Sequence, residues 1–151
     1  MAVKPIPEGY HTITPYLVVR GAQKTIDFAK NAFGAEVVFE PMKRPDGTIL
    51  HGEFKVGDSR IMISDATEEH PAKQTMLYVY VPDVDAVFQK AIKAGGKSLH
   101  EPMDQFYGDR SGSVQDAAGN HWEIGTHKED VAPDEIRKRA KKMFEQGSKA
   151  A

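Results

Sequence analysis

The feature that most constrains this fold is an internal repeat: two halves of the chain align without a gap at a shift of 62 residues. Tyr16 falls on Tyr78 and Gly34 on Gly96 at this shift. Identical residues are few, but the predicted strands, helix and turns of the two halves coincide at the same shift. Self-similarity of this kind decides a fold before any single motif does.

Each half predicts a strand, a helix and three further strands in that order. The helices are predicted from apolar residues at helical spacing, and the strands from runs of β-branched and aromatic residues. Strands are expected over residues 11–19, 36–39, 49–56 and 60–64, with a helix over 22–33. The second half predicts strands over residues 76–81, 98–103, 111–115 and 122–126, with a helix over 84–94. The fold class is therefore α+β, with two tandem βαβββ modules.

The ends of the chain lie outside this repeat. Residues 1–10 are predicted to be an N-terminal arm, and residues 11–128 a single domain with modules at about 11–66 and 75–127. Residues 129–151 are predicted to be a C-terminal helix and tail, with the helix over 133–146. An apolar stripe marks this helix as amphipathic and has to pack on its own domain or on a partner. The stripe consists of Ile136, Ala140, Met143 and Phe144.

Composition excludes several kinds of site. The chain has no cysteine, so disulfides, zinc–thiolate sites and cysteine nucleophiles are absent. A formal net charge of −2 gives no basic footprint for nucleic acid. No apolar run is long enough for a membrane helix or a signal-peptide core. We therefore expect a cytoplasmic protein with no nucleic-acid or membrane partner.

Several segments together resemble the vicinal-oxygen-chelate superfamily, the glyoxalase, bleomycin resistance protein and dioxygenase fold. They are residues 14–19, 26–28 and 33–36 of the first module and residues 81–86 and 116–123 of the second. Residues 61–65 and 107–112 resemble its PhnB-like branch. The resemblance implies that the modules form a curved sheet around a cavity, and that two chains pair as a homodimer that completes each cavity.

The resemblance also implies where a metal ion would bind. Metal-dependent members carry one ligand on the first and fourth strand of each module, and these positions correspond here to Thr14, Ile61, Met76 and Glu123. Only Glu123 is a good ligand for a divalent cation, and one carboxylate does not hold a catalytic metal ion alone. We therefore expect the usual metal site to be lost, with a divalent metal disfavoured and no cofactor.

The sheet face opposite the helices lines the cavity in this superfamily. Strand alternation places Tyr16, Tyr78 and Tyr80 on that face, which suits a flat, partly aromatic ligand; ordinary aromatic filling of a curved sheet is the alternative. A loop before residue 111 offers further contacts, or is structural through an internal Asp109–Arg110 contact. The predicted ligand contacts are Thr14, Tyr16, Ile61, Met76, Tyr78, Tyr80, Phe106, Tyr107, Arg110 and Glu123.

Two functions compete for this cavity. The leading hypothesis is a small-molecule-binding protein, similar to bleomycin-type drug-binding proteins, that sequesters an aromatic or polar organic ligand without a metal. The alternative is a lyase, isomerase or dioxygenase-type enzyme that uses Glu123 with His51 or His121 as a base or an atypical metal site. A structural or regulatory dimer is a third class.

The remaining expectations concern individual side chains. His51 and Glu53 are also interpreted as a polar pair on a half-exposed strand. Trp122 is assigned to packing, because its strand parity is opposite to that of Glu123. The other histidines are expected to be solvated: His11, His70, His100 and His127. If Glu123 is a lone buried carboxylate, Glu123→Gln should leave folding intact or stabilise it by ~1 kcal/mol.

Overall fold

The structure, a computed structural model, describes residues 2–147. The first module contains β1 (Tyr16–Val19), α1 (Ala22–Phe33), β2 (Glu36–Lys43), β3 (Ile49–Val56) and β4 (Ser59–Asp65). The second module contains β5 (Met76–Tyr80), α2 (Val84–Lys93), β6 (Lys97–Asp104), β7 (Asp109–Gln115) and β8 (His121–His127). The C-terminal helix α3 spans Pro133–Glu145. The predicted α+β fold with tandem βαβββ modules is confirmed, while residues 148–151 of the predicted tail lie outside the described part.

Each module forms its own four-stranded sheet. The strand order is β1-β4-β3-β2 in the first sheet and β5-β8-β7-β6 in the second. In each sheet the first and fourth strands of the module pair in parallel, and the other neighbours pair antiparallel. The parallel pair is possible because a helix connects the first strand to the rest of its module.

The two helices pack against each other and against the sheets, so one core serves both modules. Alternate strand residues such as Leu17 and Ile63 in the first module and Ile124 in the second are fully buried there. The opposite face of each sheet, turned away from the helices, is called the open face below. It carries large exposed side chains, including Tyr16 at 46% and Tyr80 at 64% exposure.

Trp122 joins the two modules within this core. It belongs to β8 of the second module and is 0% exposed. Its ring lies 6.0 Å from that of Phe28 and 5.1 Å from that of Phe33, both on α1 of the first module. Its indole Nε1 donates to Asp116 Oδ2 at 2.9 Å, so the one buried polar atom of the ring is satisfied. The assignment of Trp122 to packing is confirmed.

Prolines explain where the strand boundaries differ from prediction. Strand β1 begins at Tyr16 rather than at residue 11, directly after Pro15, which lacks the N–H that a ladder needs. The edge strands β2 and β6 continue through Pro41 and Pro102, with register shifts in both. Proline is tolerated on an edge strand because its missing N–H faces no neighbour.

Helix α3 lies loosely on the domain. None of its residues is buried, and Phe144 of the predicted apolar stripe is 65% exposed. Arg139 holds the helix by donating to the Phe106 carbonyl at 3.3 Å and by pairing with Glu129 at 2.6 Å. No helix within residues 2–147 combines the length and the apolar composition needed to cross a membrane.

Candidate functional site

The register of the sheets changes one predicted site position. Tyr16 is the partner of Met62 in the first sheet, and Tyr78 is the partner of Glu123 in the second. The counterpart of Glu123 is therefore Met62, offset by 61 residues rather than 62. The prediction that Ile61 occupies the metal-ligand position was wrong: Ile61 pairs with Phe54, is 4% exposed and belongs to the core. Loops of unequal length shift the repeat, and a slip of one residue moves a side chain to the other face.

Glu123 is not a lone carboxylate. It lies on the open face of the second sheet and is 6% exposed. Ser111 Oγ donates to its Oε1 at 2.8 Å, and His100 Nε2 lies 3.1 Å from the same oxygen. His121 Nε2 lies 3.3 Å from Oε2, and Gln105 donates to Ser111 at 3.1 Å. Both carboxylate oxygens are therefore bonded, which removes the penalty expected for an unpaired charge.

His100 was expected to be solvated, and this was wrong. It lies within β6 opposite Ser113, and the bulges of this edge strand turn its ring toward Glu123. His100 Nδ1 lies 3.1 Å from the Glu101 carbonyl oxygen, which can only accept, so Nδ1 carries a proton. His100 Nε2 is therefore the ring nitrogen that faces Glu123.

A second cluster on the same face surrounds Asp109, which is 3% exposed. The hydroxyls of Tyr78 and Tyr80 donate to its Oδ2 at 2.8 and 2.9 Å. His127 Nδ1 lies 2.8 Å from Oδ1. The His127 side chain is 51% exposed, so it is solvated as expected while it also bonds Asp109. The two tyrosine rings lie 4.9 Å apart with 40° between their planes. The carboxylate therefore fixes both rings in place.

The pKa directions agree with this arrangement. Burial opposes ionisation of Asp109, but hydrogen bonds from His127, Tyr78 and Tyr80 hold its pKa below the usual value. Burial and hydrogen bonds with Tyr107 and Asp109 raise the pKa of Tyr78 far above its usual range. Hydrogen bonds to Asp130 and Asp109 raise the pKa of His127. The phenols therefore stay protonated donors beside an ionised acceptor.

The predicted loop contacts divide into two groups. Tyr107 reaches the cluster, with its hydroxyl 3.3 Å from that of Tyr78, and Phe106 packs on Tyr107 edge to face at 5.2 Å. Arg110 alternates to the other face, where it pairs with Asp85 at 2.9 Å. The suggested Asp109–Arg110 contact was therefore wrong, because neighbouring residues of β7 point to opposite faces.

His51 belongs to a separate cluster on the first sheet. Its Nε2 lies 3.0 Å from Glu53 Oε1, and its Nδ1 lies 3.2 Å from the Tyr16 hydroxyl. The hydroxyl of Tyr10, from the N-terminal arm, also donates to Glu53. Within one chain the structure therefore brings Glu123 together with His121 and His100, and His51 together with Glu53. No sequence pattern marked Tyr10, because the arm has no periodicity.

Comparison with known proteins identifies the fold family. The sequence profile of the Glyoxalase/Bleomycin resistance protein/Dioxygenase superfamily matches residues 9–124. The chain belongs to this superfamily. An uncharacterised protein of Mycobacterium bovis is 33% identical over 136 residues, covering 83% of this chain and 89% of that protein. A Mycobacterium tuberculosis protein, also uncharacterised, is 33% identical over the same length, with 83% and 79% coverage.

Solved structures of the superfamily share the fold. The PhnB protein from Bacillus cereus has a TM-score of 0.63 and 22% identity, covering 77% of this chain and 99% of that chain. TioX from Micromonospora sp. ML1 has a TM-score of 0.60 and 22% identity, covering 76% and 98%. At these identities the likeness shows the fold alone.

The divalent metal of the superfamily does not fit the residues at its positions. Met76 and Met62 offer thioethers, and the Thr14 hydroxyl bonds the His11 carbonyl at 3.3 Å. The Nε2 atoms of both histidines near Glu123 are directed at its oxygens. Across residues 2–147, no group of three or more histidine, aspartate or glutamate side chains is arranged to hold a metal ion.

Three cavities of the chain have linings that do not include Glu123. One, of about 580 Å³, lies between the ends of α1 and α2 and contains no predicted site residue. A groove of about 430 Å³ between the modules is lined by Tyr78, Tyr80 and Ile61. A third cavity, of about 380 Å³, lies beside Tyr16 on the first sheet. This chain thus presents Tyr78 and Tyr80 at one groove and Tyr16 at another.

Proposed function

We propose that this protein binds and sequesters an aromatic or polar organic small molecule on the open face of the second sheet, without a metal. The observation that carries the proposal is the fixed pair of rings, Tyr78 and Tyr80, beside the buried carboxylate of Glu123. The rings are exposed by 38% and 64%, so they offer apolar surface to a planar group. Glu123 offers hydrogen bonds within the same face, which is the pattern of a preformed small-molecule site.

The buried hydroxyl of Ser113 also supports this proposal. Its side chain is 0% exposed, and its Oγ has no hydrogen-bond partner among the described residues. Ser113 is the register partner of both Glu123 and His100. Buried polar groups are normally paired, and an unpaired one calls for a partner outside the protein.

We also propose that the protein is a homodimer in which a second copy covers the open faces. These faces expose Met76 at 59%, Tyr80 at 64% and Met103 at 52% on the second sheet, with Phe39 at 43% and Met42 at 46% on the first. Apolar surface of this extent marks an interaction site, and a second copy is its simplest occupant. Light scattering should give a mass near twice 16.7 kDa. A monomer mass at high micromolar concentration would refute the dimer.

A thermal-shift screen of aromatic and polar organic compounds tests the binding function. Compounds that stabilise the protein should lose affinity in Tyr80→Leu and in Glu123→Gln. The control Phe144→Leu changes an exposed aromatic side chain on α3 and should bind as the wild type does. A screen in which no compound binds, or in which the three variants behave alike, contradicts the proposal. Stoichiometric zinc, nickel, manganese or iron that is lost in Glu123→Gln contradicts its metal-free character.

An acid–base enzyme is the second candidate, favoured by the histidine that lies within hydrogen-bond distance of each oxygen of Glu123. In this case Glu123 or His121 moves a proton of the bound substrate. Glu123→Gln should then abolish turnover of a compound from the screen while sparing its affinity. Unchanged turnover excludes this role.

The cytoplasmic location remains a prediction, consistent with a chain that has no cysteine.

A further inference from the structure

The N-terminal arm places one of its own side chains on the open face of the first sheet. The Tyr10 hydroxyl donates to Glu53 Oε2. The guanidinium of Arg60 lies 4.8 Å from the centre of the Tyr10 ring, within the range of a cation–π contact. The phenol therefore has a hydrogen-bond acceptor for its hydroxyl and a cation against its ring face.

The backbone of the arm adopts a conformation that allows this contact. Gly9 has a φ of +82°, and a Cβ at this position would lie 2.6 Å from Arg60 Nη2. The amide of Tyr10 donates to the Pro7 carbonyl at 3.1 Å, which closes a turn. Only glycine combines the positive φ with the close approach to the guanidinium. Arg60 is therefore packed between the Gly9 backbone and the Tyr10 ring.

The acceptor side of the contact is held by the sheet and not by the arm. His51 Nε2 lies 3.0 Å from Glu53 Oε1, and the Tyr16 hydroxyl lies 3.2 Å from His51 Nδ1. Tyr16 can donate to Nδ1, which leaves the Nε2 proton for Glu53. Burial opposes ionisation, but the hydrogen bonds from Tyr10 and His51 keep the pKa of Glu53 below its usual value. The hydrogen bond between His51 and Glu53 does not involve the arm, so an oriented acceptor would remain if the arm left.

We propose that Glu53, His51 and Arg60 form a binding site for a phenolic ligand, and that Tyr10 is its built-in occupant. A free aromatic hydroxyl competes with Tyr10 for Glu53 and displaces the arm. Because Tyr10 is tethered, its effective concentration is about millimolar or higher, so the wild-type site accepts free phenols weakly. This site lies on the first sheet, and its proposal does not depend on ligand binding at Glu123.

The test uses p-cresol, the side chain of tyrosine as a free molecule, titrated into the full-length chain by calorimetry. Tyr10→Ala should bind p-cresol at least about tenfold more tightly than the wild type, because the tethered competitor is gone. The probe 4-methylanisole carries a methoxy group in place of the hydroxyl and therefore lacks the O–H donor, and it should gain no affinity. Adding Glu53→Gln to Tyr10→Ala should remove most of the gain for p-cresol.

A second variant opens the site while retaining Tyr10. Gly9→Ala strains the turn and meets Arg60, so the arm should be released and p-cresol affinity should rise to a value between those of the wild type and Tyr10→Ala. Equal affinity of the wild type and both variants places p-cresol elsewhere and overturns the proposal. The proposal also fails if 4-methylanisole gains as much as p-cresol, or if neither variant binds p-cresol while circular dichroism shows both folded.

Discussion

Glu123→Gln tests whether the hydrogen bonds to a buried carboxylate stabilise the fold by more than the burial of its charge costs. The carboxylate is bonded by Ser111 and His100 on one oxygen and by His121 on the other. An amide keeps one acceptor for Ser111 and His100, but it turns an NH₂ group toward His121, which must change its tautomer to accept. The change preserves shape, so its effect on stability comes from charge and hydrogen bonding.

The expected loss of folding stability follows from the hydrogen bonds of Glu123. Hydrogen bonds to a charged group contribute about 1.5–3 kcal/mol and neutral ones about 0.5–1.5 kcal/mol, so replacement costs roughly 1 kcal/mol for each of the stronger bonds. Relief of carboxylate burial offsets part of this cost, about 1 kcal/mol. We therefore expect a net destabilisation of about 1–2 kcal/mol, which lowers Tm by roughly 2–8 °C for a chain of this size.

Urea denaturation, followed by the fluorescence of the single tryptophan, Trp122, measures this difference. The control Glu101→Gln changes an exposed carboxylate on β6 of the same sheet and should stay within about 0.5 kcal/mol of the wild type. A Glu123→Gln variant as stable as the wild type, or more stable, would refute the reasoning. It would show that the histidines and Ser111 do not compensate for burial.

Two further predictions concern the Asp109 cluster. Because the pKa of His127 is raised above 6.5 by Asp130 and Asp109, its contribution to stability is complete below that pH and is lost as the pH rises through the folded-state value. The urea midpoint of the wild type should fall over this range more than that of His127→Gln, and parallel curves would contradict the assignment. Gly125→Ala places a Cβ 2.6 Å from the Tyr78 hydroxyl, so it should cost about 1–3 kcal/mol by displacing the ring. The cost should largely vanish in a Tyr78→Ala background, and a cost that persists there would locate the strain elsewhere.

The repeat predicted the fold because the spacing of apolar residues within each strand and helix does not change when a loop is lengthened or shortened by a few residues. It failed at Ile61 because a side chain's face depends on the register to a single residue. The turn before β3 spans residues 44–48, and its counterpart before β7 spans 105–108. Such differences move the offset from one element to the next, and a gapless alignment cannot follow them.

The sequence predicted Glu123, Tyr78 and Tyr80 on one face, and the structure places them there with His121. It did not predict His100, because the bulges of an edge strand turn a ring in a way that strict alternation does not describe. Tyr10 was also missed, because the arm is placed by contacts with a distant strand. His100 and Tyr10 both reach their partners through the tertiary fold, and local sequence patterns contain no information about such contacts.

The burial of Trp122 against α1 has a consequence for the autonomy of the two halves. A chain divided in the segment between β4 and β5 would leave the indole of one fragment and the Phe28 and Phe33 rings of the other in water. Neither fragment would contain a complete hydrophobic core. The two repeats seen in the sequence are therefore not two independent cooperative folding units. Unfolding is expected to follow a single transition, and the fragments should be stable only when they are recombined.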